Sequence, residues 1–130
     1  MSEDFSQLIT KAQLLVRETG IFIKQELGKV STQQVEAKAL NSLVSYVDKQ
    51  AEIKLVQGLR ELIPDCGFIT EEDTIDDTSK ETIWIIDPLD GTTNFLRQIP
   101  HFSVSVALQV NGELQLGMVY NIMLDELFSA

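Results

Sequence analysis

The sequence has few or none of several features that identify particular classes of protein. Cys66 is the only cysteine among the 130 residues, so no internal disulfide can form, which fits a cytoplasmic protein. No apolar run approaches the roughly 20 residues that are needed to cross a bilayer. The acidic start, Met1–Asp4, also lacks the basic residues of a secretory signal peptide. We therefore expect a cytoplasmic protein that does not associate with membranes.

Positive charge is also scarce. Ten Lys and Arg residues stand against twenty Asp and Glu residues, which gives a net charge of −10. Such a balance argues against nucleic acid as a direct partner. A small phosphorylated molecule stays possible if metal ions neutralise its site locally. The 130 residues of the chain are enough to form one domain. The hydrophobic content of 44% is typical of a globular protein.

The stretch over residues 84–95 organises the rest of the sequence. Its apolar beginning, residues 84–86, is typical of a buried strand; Asp87 follows directly, and Asp90 comes three residues after Asp87. Residues 90–93 predict a turn that enters a helix with free backbone N–H groups. Carboxylates bind hard cations such as Mg²⁺, and a helix N-terminus binds phosphate. The alternative is an ordinary turn, because Asp-Pro and Asp-Gly are common turn formers.

Before this stretch, apolar spacing predicts two helices. The first is amphipathic and ends at Gly28; the second runs from about Asp48 to Leu62, with Asp48 as its N-cap. Between them we expect an irregular segment over residues 29–41 and a short extended piece over residues 43–47. A short strand follows over residues 67–71, and it ends on Glu71 in a position similar to that of Asp87.

After this stretch the sequence predicts a hairpin-rich sheet. Residues 103–110 alternate with period two, Asn111-Gly112 is a strong hairpin turn, and residues 113–121 return as a strand. One face of the returning strand is predicted to carry Leu114, Leu116, Met118 and Tyr120. A further strand is expected within residues 124–130. The predicted fold class is therefore α+β, with two N-terminal helices packed on a mostly antiparallel sheet.

The central stretch resembles the metal-binding signature of the inositol monophosphatase family, Asp-Pro-hydrophobic-Asp-Gly-Thr-x-Asn, without a mismatch. Two further family elements have similar counterparts: Thr70-Glu71-Glu72 resembles a strand that ends Gly-Glu-Glu, and residues 44–48 resemble a Val-Thr-x-x-Asp segment. Thr70 replaces the glycine of the family, and Ser45 replaces the threonine. The resemblance spans nearly the whole chain and implies the N-terminal half of a layered αβαβα fold.

The resemblance implies a role for each matching residue. Glu71, Asp87 and the backbone carbonyl of Leu89 would bind a first Mg²⁺, and Asp87 and Asp90 would bind a second; two or three ions are expected. Leu89, Asp90, Gly91, Thr92 and Glu71 would contact the substrate, with Gly91 and Thr92 at its phosphate. Asp48 and Thr92 would help to deprotonate a water bound to the metal.

The family completes its metal site with an aspartate in a Trp-Asp-containing segment of its C-terminal half. That segment has no match here, because the only tryptophan, Trp84, is followed by Ile85. We therefore expect residues 1–130 to be the N-terminal part of a longer domain. Alone, they should bind metal weakly and turn over little phosphate ester. The resemblance suggests that the full-length protein is a lithium-sensitive, Mg²⁺-dependent homodimer acting on inositol 1-phosphate or a related sugar phosphate.

Several alternatives remain open. Haloacid dehalogenase-type phosphatases need two acids that are two residues apart, whereas Asp87 and Asp90 are three apart. Fructose-1,6-bisphosphatase, 3′-nucleotide phosphatase and NADP phosphatase activities belong to related families, although residues 93–95 favour the inositol monophosphatase branch. A hypothesis of another class is a non-catalytic interaction module that pairs through an exposed sheet edge.

Overall fold

A computed structural model describes residues 2–28, 37–70, 80–90 and 102–130, with side chains over 5–26, 46–70, 80–88 and 102–130. Within these described ranges, two helices precede five strands. Their bounds are α1, Ser2–Gly28; α2, Ala37–Leu62; β1, Gly67–Thr70; β2, Thr82–Asp90; β3, Ser103–Val110; β4, Glu113–Asn121; and β5, Glu126–Ser129. The predicted fold class, helices on a mostly antiparallel sheet, is confirmed.

The five strands form one sheet in the order β1-β2-β3-β4-β5. Only β1 and β2 run parallel among these strands, and the other three pairs are antiparallel. The predicted Asn111-Gly112 turn is confirmed, with φ angles of 53° and 81°. Two consecutive positive φ angles match the tight turn whose twist suits a β-hairpin.

Both helices cover one face of the sheet. The shared core joins Val16 and Ile23 of α1 to Leu55 and Leu59 of α2, and all four side chains are fully buried. The sheet contributes alternate residues to this core, as the two-residue period of a strand requires. They are Phe68, Trp84, Ile86, Val104, Val106, Leu108, Leu116, Met118 and Tyr120. None of the helices in the described part of the chain is both long and apolar enough to span a membrane.

The start of α2 was predicted wrongly. The helix begins at Ala37, so residues 43–47 are helical and Asp48 lies near its middle instead of at its N-cap. The apolar residues of the sequence explain the difference, because Leu40, Val44, Val47 and Ala51 already repeat at helical spacing. Of the expected irregular segment, residues 37–41 are helical, and residues 29–36 lie outside the described part of the chain.

The predicted face of β4 was wrong at one position. Leu116, Met118 and Tyr120 are buried as expected, but Leu114 is 69% exposed. The β3–β4 register shifts between Leu108 and Gln109, so that Gln109 lies opposite Leu114. An extra residue in one strand turns the following side chains to the other face. This bulge therefore removes Leu114 from the core face.

Candidate metal and phosphate site

The parallel pair β1 and β2 places the end of β1 beside one predicted site residue, Asp87. Thr70, the last residue of β1, lies opposite Ile86 of β2, and Asp87 is the next residue along β2. Glu71 follows Thr70 in the sequence but lies outside the described residues. The carboxyl ends of adjacent parallel strands lie at the same edge of a sheet, where ligands often bind.

A β-bulge separates the two acids of the central stretch. Asp87 lies opposite Ser105 and Asp90 lies opposite Ser103, so three steps along β2 correspond to two steps along β3. Pro88, which is buried, occupies this irregularity, as expected of a proline within a sheet. The prediction that the strand ends at Asp87 was wrong, because β2 extends to Asp90. The predicted turn into a helix over residues 90–93 lies, apart from Asp90, outside the described residues.

The bulge has a consequence for the two positions. In a regular strand, residues three apart lie on opposite faces. Ser103 and Ser105 are two apart on β3 and share a face, so their partners at positions 87 and 90 are brought to the same face of the sheet.

Asp87 lies on the sheet face opposite to the helices. Trp84 and Ile86 of the same strand point into the core. Asp87 is half-buried and lines a concave surface, which encloses a pocket with a volume of about 650 Å³. That surface is mostly apolar, with Ile69 and Ile85 beside Asp87. Asp87 Oδ1 is shielded from solvent. A carboxylate in apolar surroundings is costly unless a cation or hydrogen-bond donors compensate its charge.

Helix α2 carries two further carboxylates. Asp48 is half-buried with Oδ1 shielded from solvent, and Glu52, one turn later, is 8% exposed. Residues four apart on a helix share a face. Asp48 was predicted as a site residue from the sequence, and Glu52 was not. The signal for Glu52 was its spacing of four residues from Asp48, next to the apolar Ala51.

The structure describes only part of the predicted site. The side chains of Asp48 and Asp87 are described, Leu89 and Asp90 are described as backbone, and Glu71, Gly91 and Thr92 lie outside the described residues. Among the described side chains, no group of three His, Cys, Asp or Glu residues could hold a metal ion. The donors that are present, carboxylates with shielded oxygens, fit the oxygen preference of Mg²⁺.

A separate polar cluster joins α1 to the turn between β4 and β5. Asp125 Oδ1 accepts a hydrogen bond from the Tyr120 hydroxyl at 2.6 Å and lies 2.7 Å from Arg17 Nη1. The hydrogen bond from Tyr120 and the charge of Arg17 lower the pKa of Asp125. Burial, followed by the bond to Asp125, raises the pKa of Tyr120. Because its donors and acceptors satisfy one another, this cluster is a structural link between α1 and the sheet.

Comparison with known proteins supports the resemblance. The model of the inositol monophosphatase family matches residues 4–130. "Nus factor SuhB" of Escherichia coli K12 is 37% identical over 115 residues, which are 88% of this chain and 43% of that protein. "Nus factor SuhB" of Vibrio cholerae is 41% identical, also over 115 residues, which are 88% of this chain and 43% of that protein.

Solved structures show the same fold. Inositol monophosphatase-II of Staphylococcus aureus superposes with a TM-score of 0.81 at 36% identity, over 95% of this chain and 45% of that one. The extragenic suppressor protein suhB of Bartonella henselae gives a TM-score of 0.82 at 32% identity, over 95% of this chain and 48% of that one. The chain spans less than half the length of each of these relatives. The match over residues 4–130 places the chain in the inositol monophosphatase family.

Proposed function

We propose that this chain forms the N-terminal half of a Mg²⁺-dependent phosphomonoesterase that hydrolyses inositol 1-phosphate or a related sugar phosphate. The observation that carries the proposal is the bulge of β2, which brings positions 87 and 90 to one face of the sheet. Carboxylates at these two positions could then share a divalent cation, because such cations prefer oxygen ligands. Family membership supports the same chemistry.

The acids are proposed to come from three elements. Thr70 of β1 lies opposite Ile86 of β2. If this register continued by one residue, Glu71 would lie opposite Asp87. Glu71, Asp87 and the carbonyl of Leu89 would then hold one ion, and Asp87 and Asp90 a second. Bound Mg²⁺ lowers the pKa of water and stabilises charge on the phosphate.

The other residues would act on the substrate and on the attacking water. Gly91 and Thr92 follow Asp90 and would donate backbone N–H groups to phosphate oxygens. Asp48, half-buried on α2, would accept a proton from the water together with Thr92. The substrate is proposed to be a small phosphorylated polyol or sugar, and the full-length protein a cytoplasmic, lithium-sensitive homodimer. Catalysis by residues 1–130 alone is expected to be slow, because the relatives are more than twice as long.

The experiment that tests the proposal is a titration of the chain with Mg²⁺ in which calorimetry measures the heat of binding. The wild-type chain should release or absorb binding heat that Asp87→Asn loses, because the variant removes a charge shared by both ions. Glu61→Gln is a matched control, since Glu61 is an exposed acid on α2. Equal Mg²⁺ affinity in wild type and Asp87→Asn would contradict the proposal.

A second candidate function follows from the relatives named Nus factors. In this case the chain would act without catalysis, through contacts with a partner protein. The net charge of −10 still disfavours direct binding to nucleic acid. The same titration separates the candidates, because a purely non-catalytic module should not distinguish Asp87→Asn from wild type.

A further inference from the structure

Ser105 lies directly opposite Asp87 across the antiparallel pair β2–β3. Its neighbours Val104 and Val106 are buried in the core under the helices, so Ser105 is on the other face of the sheet, as Asp87 is. Directly opposed side chains of an antiparallel pair have Cβ atoms about 4.5–5.5 Å apart. At this separation a serine hydroxyl can reach a carboxylate oxygen.

The described side chains that lie beside the pair are mainly apolar. Asp87 and Ser105 are both half-buried and line the same concave surface, next to the apolar side chains of Ile69, Ile85 and Ala107. A hydroxyl is both a donor and an acceptor. It is therefore suited to hold one oxygen of a carboxylate while the other oxygen faces a cation.

The geometry points to Ser105 as a positioning residue that orients the Asp87 carboxylate for the cation, an inference that rests on the proposed function. Groups that hydrogen-bond a metal ligand fix its orientation, and their loss typically lowers metal affinity about 10- to 100-fold. Ser105 acts through Asp87 and is not itself a ligand.

The test is a titration of the 130-residue chain with Mg²⁺ in which the NMR chemical shifts of the backbone amides report binding. This readout also measures weak binding. Ser105→Ala should weaken Mg²⁺ binding about 10-fold or more. Ser105→Thr should restore affinity to within about three-fold, because threonine keeps the hydroxyl and suits a strand. The matched control is Ala107→Ser, which adds a hydroxyl on the same face opposite Ile85 and should leave affinity unchanged.

The outcomes separate this inference from the proposed function. Wild-type affinity in Ser105→Ala, with binding lost in Asp87→Asn, would overturn the role of Ser105 and leave the metal site intact. Loss of affinity that Ser105→Thr does not restore, together with a lower midpoint of urea unfolding, would show a packing effect and also overturn it. If wild type shows no saturable Mg²⁺-dependent shift, or Asp87→Asn binds as wild type does, both proposals are wrong.

Discussion

The ring of Tyr120 packs directly against the backbone of Gly20. Gly20 lies on α1 and Tyr120 on β4, and both are buried. A Cβ atom added at residue 20 would lie 2.7 Å from Cδ2 of this ring and closer still to Cε2. The absence of a side chain at residue 20 is therefore what allows α1 to approach the sheet at this point.

Gly20→Ala should destabilise the protein. The added methyl group must displace a buried ring, and overpacking of this kind costs about 1–3 kcal/mol. The free energy of unfolding in urea measures the effect. Gly117→Ala is the matched control, because no heavy atom lies within 4 Å of a Cβ at that position; its change should stay within about 0.5 kcal/mol. Equal effects of the two substitutions would contradict the close packing at Gly20.

The cluster around Asp125 should make stability depend on pH at both extremes. The folded-state pKa of Asp125 is lowered, so its stabilising contribution is present above the usual aspartate pKa of ~3.9 and is lost as the pH falls below it. The pKa of Tyr120 is raised, so the neutral phenol stabilises the fold below about pH 10, and this contribution is lost as the pH rises further.

Tyr120→Phe tests the acidic limb of this dependence. The variant removes the hydrogen bond that is the largest cause of the lowered pKa of Asp125. The pKa of Asp125, measured by the pH titration of its carboxyl carbon in NMR, should therefore rise towards the usual aspartate value. Asp65 is a suitable internal reference, since it pairs with Lys80 at 2.8 Å and not with Tyr120. An unchanged titration of Asp125 would exclude this hydrogen bond in solution.

The bulge of β4 makes two neighbouring leucines differ sharply in their contributions to stability. Leu116 is 4% exposed and Leu114 is 69% exposed. Leu116→Ala should cost about 2–5 kcal/mol, because it leaves a cavity in the core. Leu114→Ala should change stability by less than about 0.5 kcal/mol, as expected of an exposed site. Chemical denaturation of the two variants measures both values, and similar losses would show that no bulge separates them.

Much of the fold could be predicted from local patterns. The apolar spacing of α1, the end of α2 before Pro64 and the Asn111-Gly112 hairpin each depend on residues close together in the sequence. The start of α2 was missed because the polar residues before Asp48 obscured an apolar repeat that continues through Val47. The family signature identified the acids, but the roles proposed for them remain predictions.

Helical and strand periods, turn residues and motif spacing are local properties, and they were enough to predict the order of the helices and strands described in the structure and the resemblance to the family. Local patterns do not show which of these residues become neighbours in the folded chain. Spacing puts Asp87 and Asp90 on opposite faces of a regular strand, and the bulge against β3 brings their positions to one face, opposite Ser105 and Ser103. A bulge is a property of the pairing between two strands, because it puts an extra residue of one strand opposite the other, and neither strand's own pattern shows it.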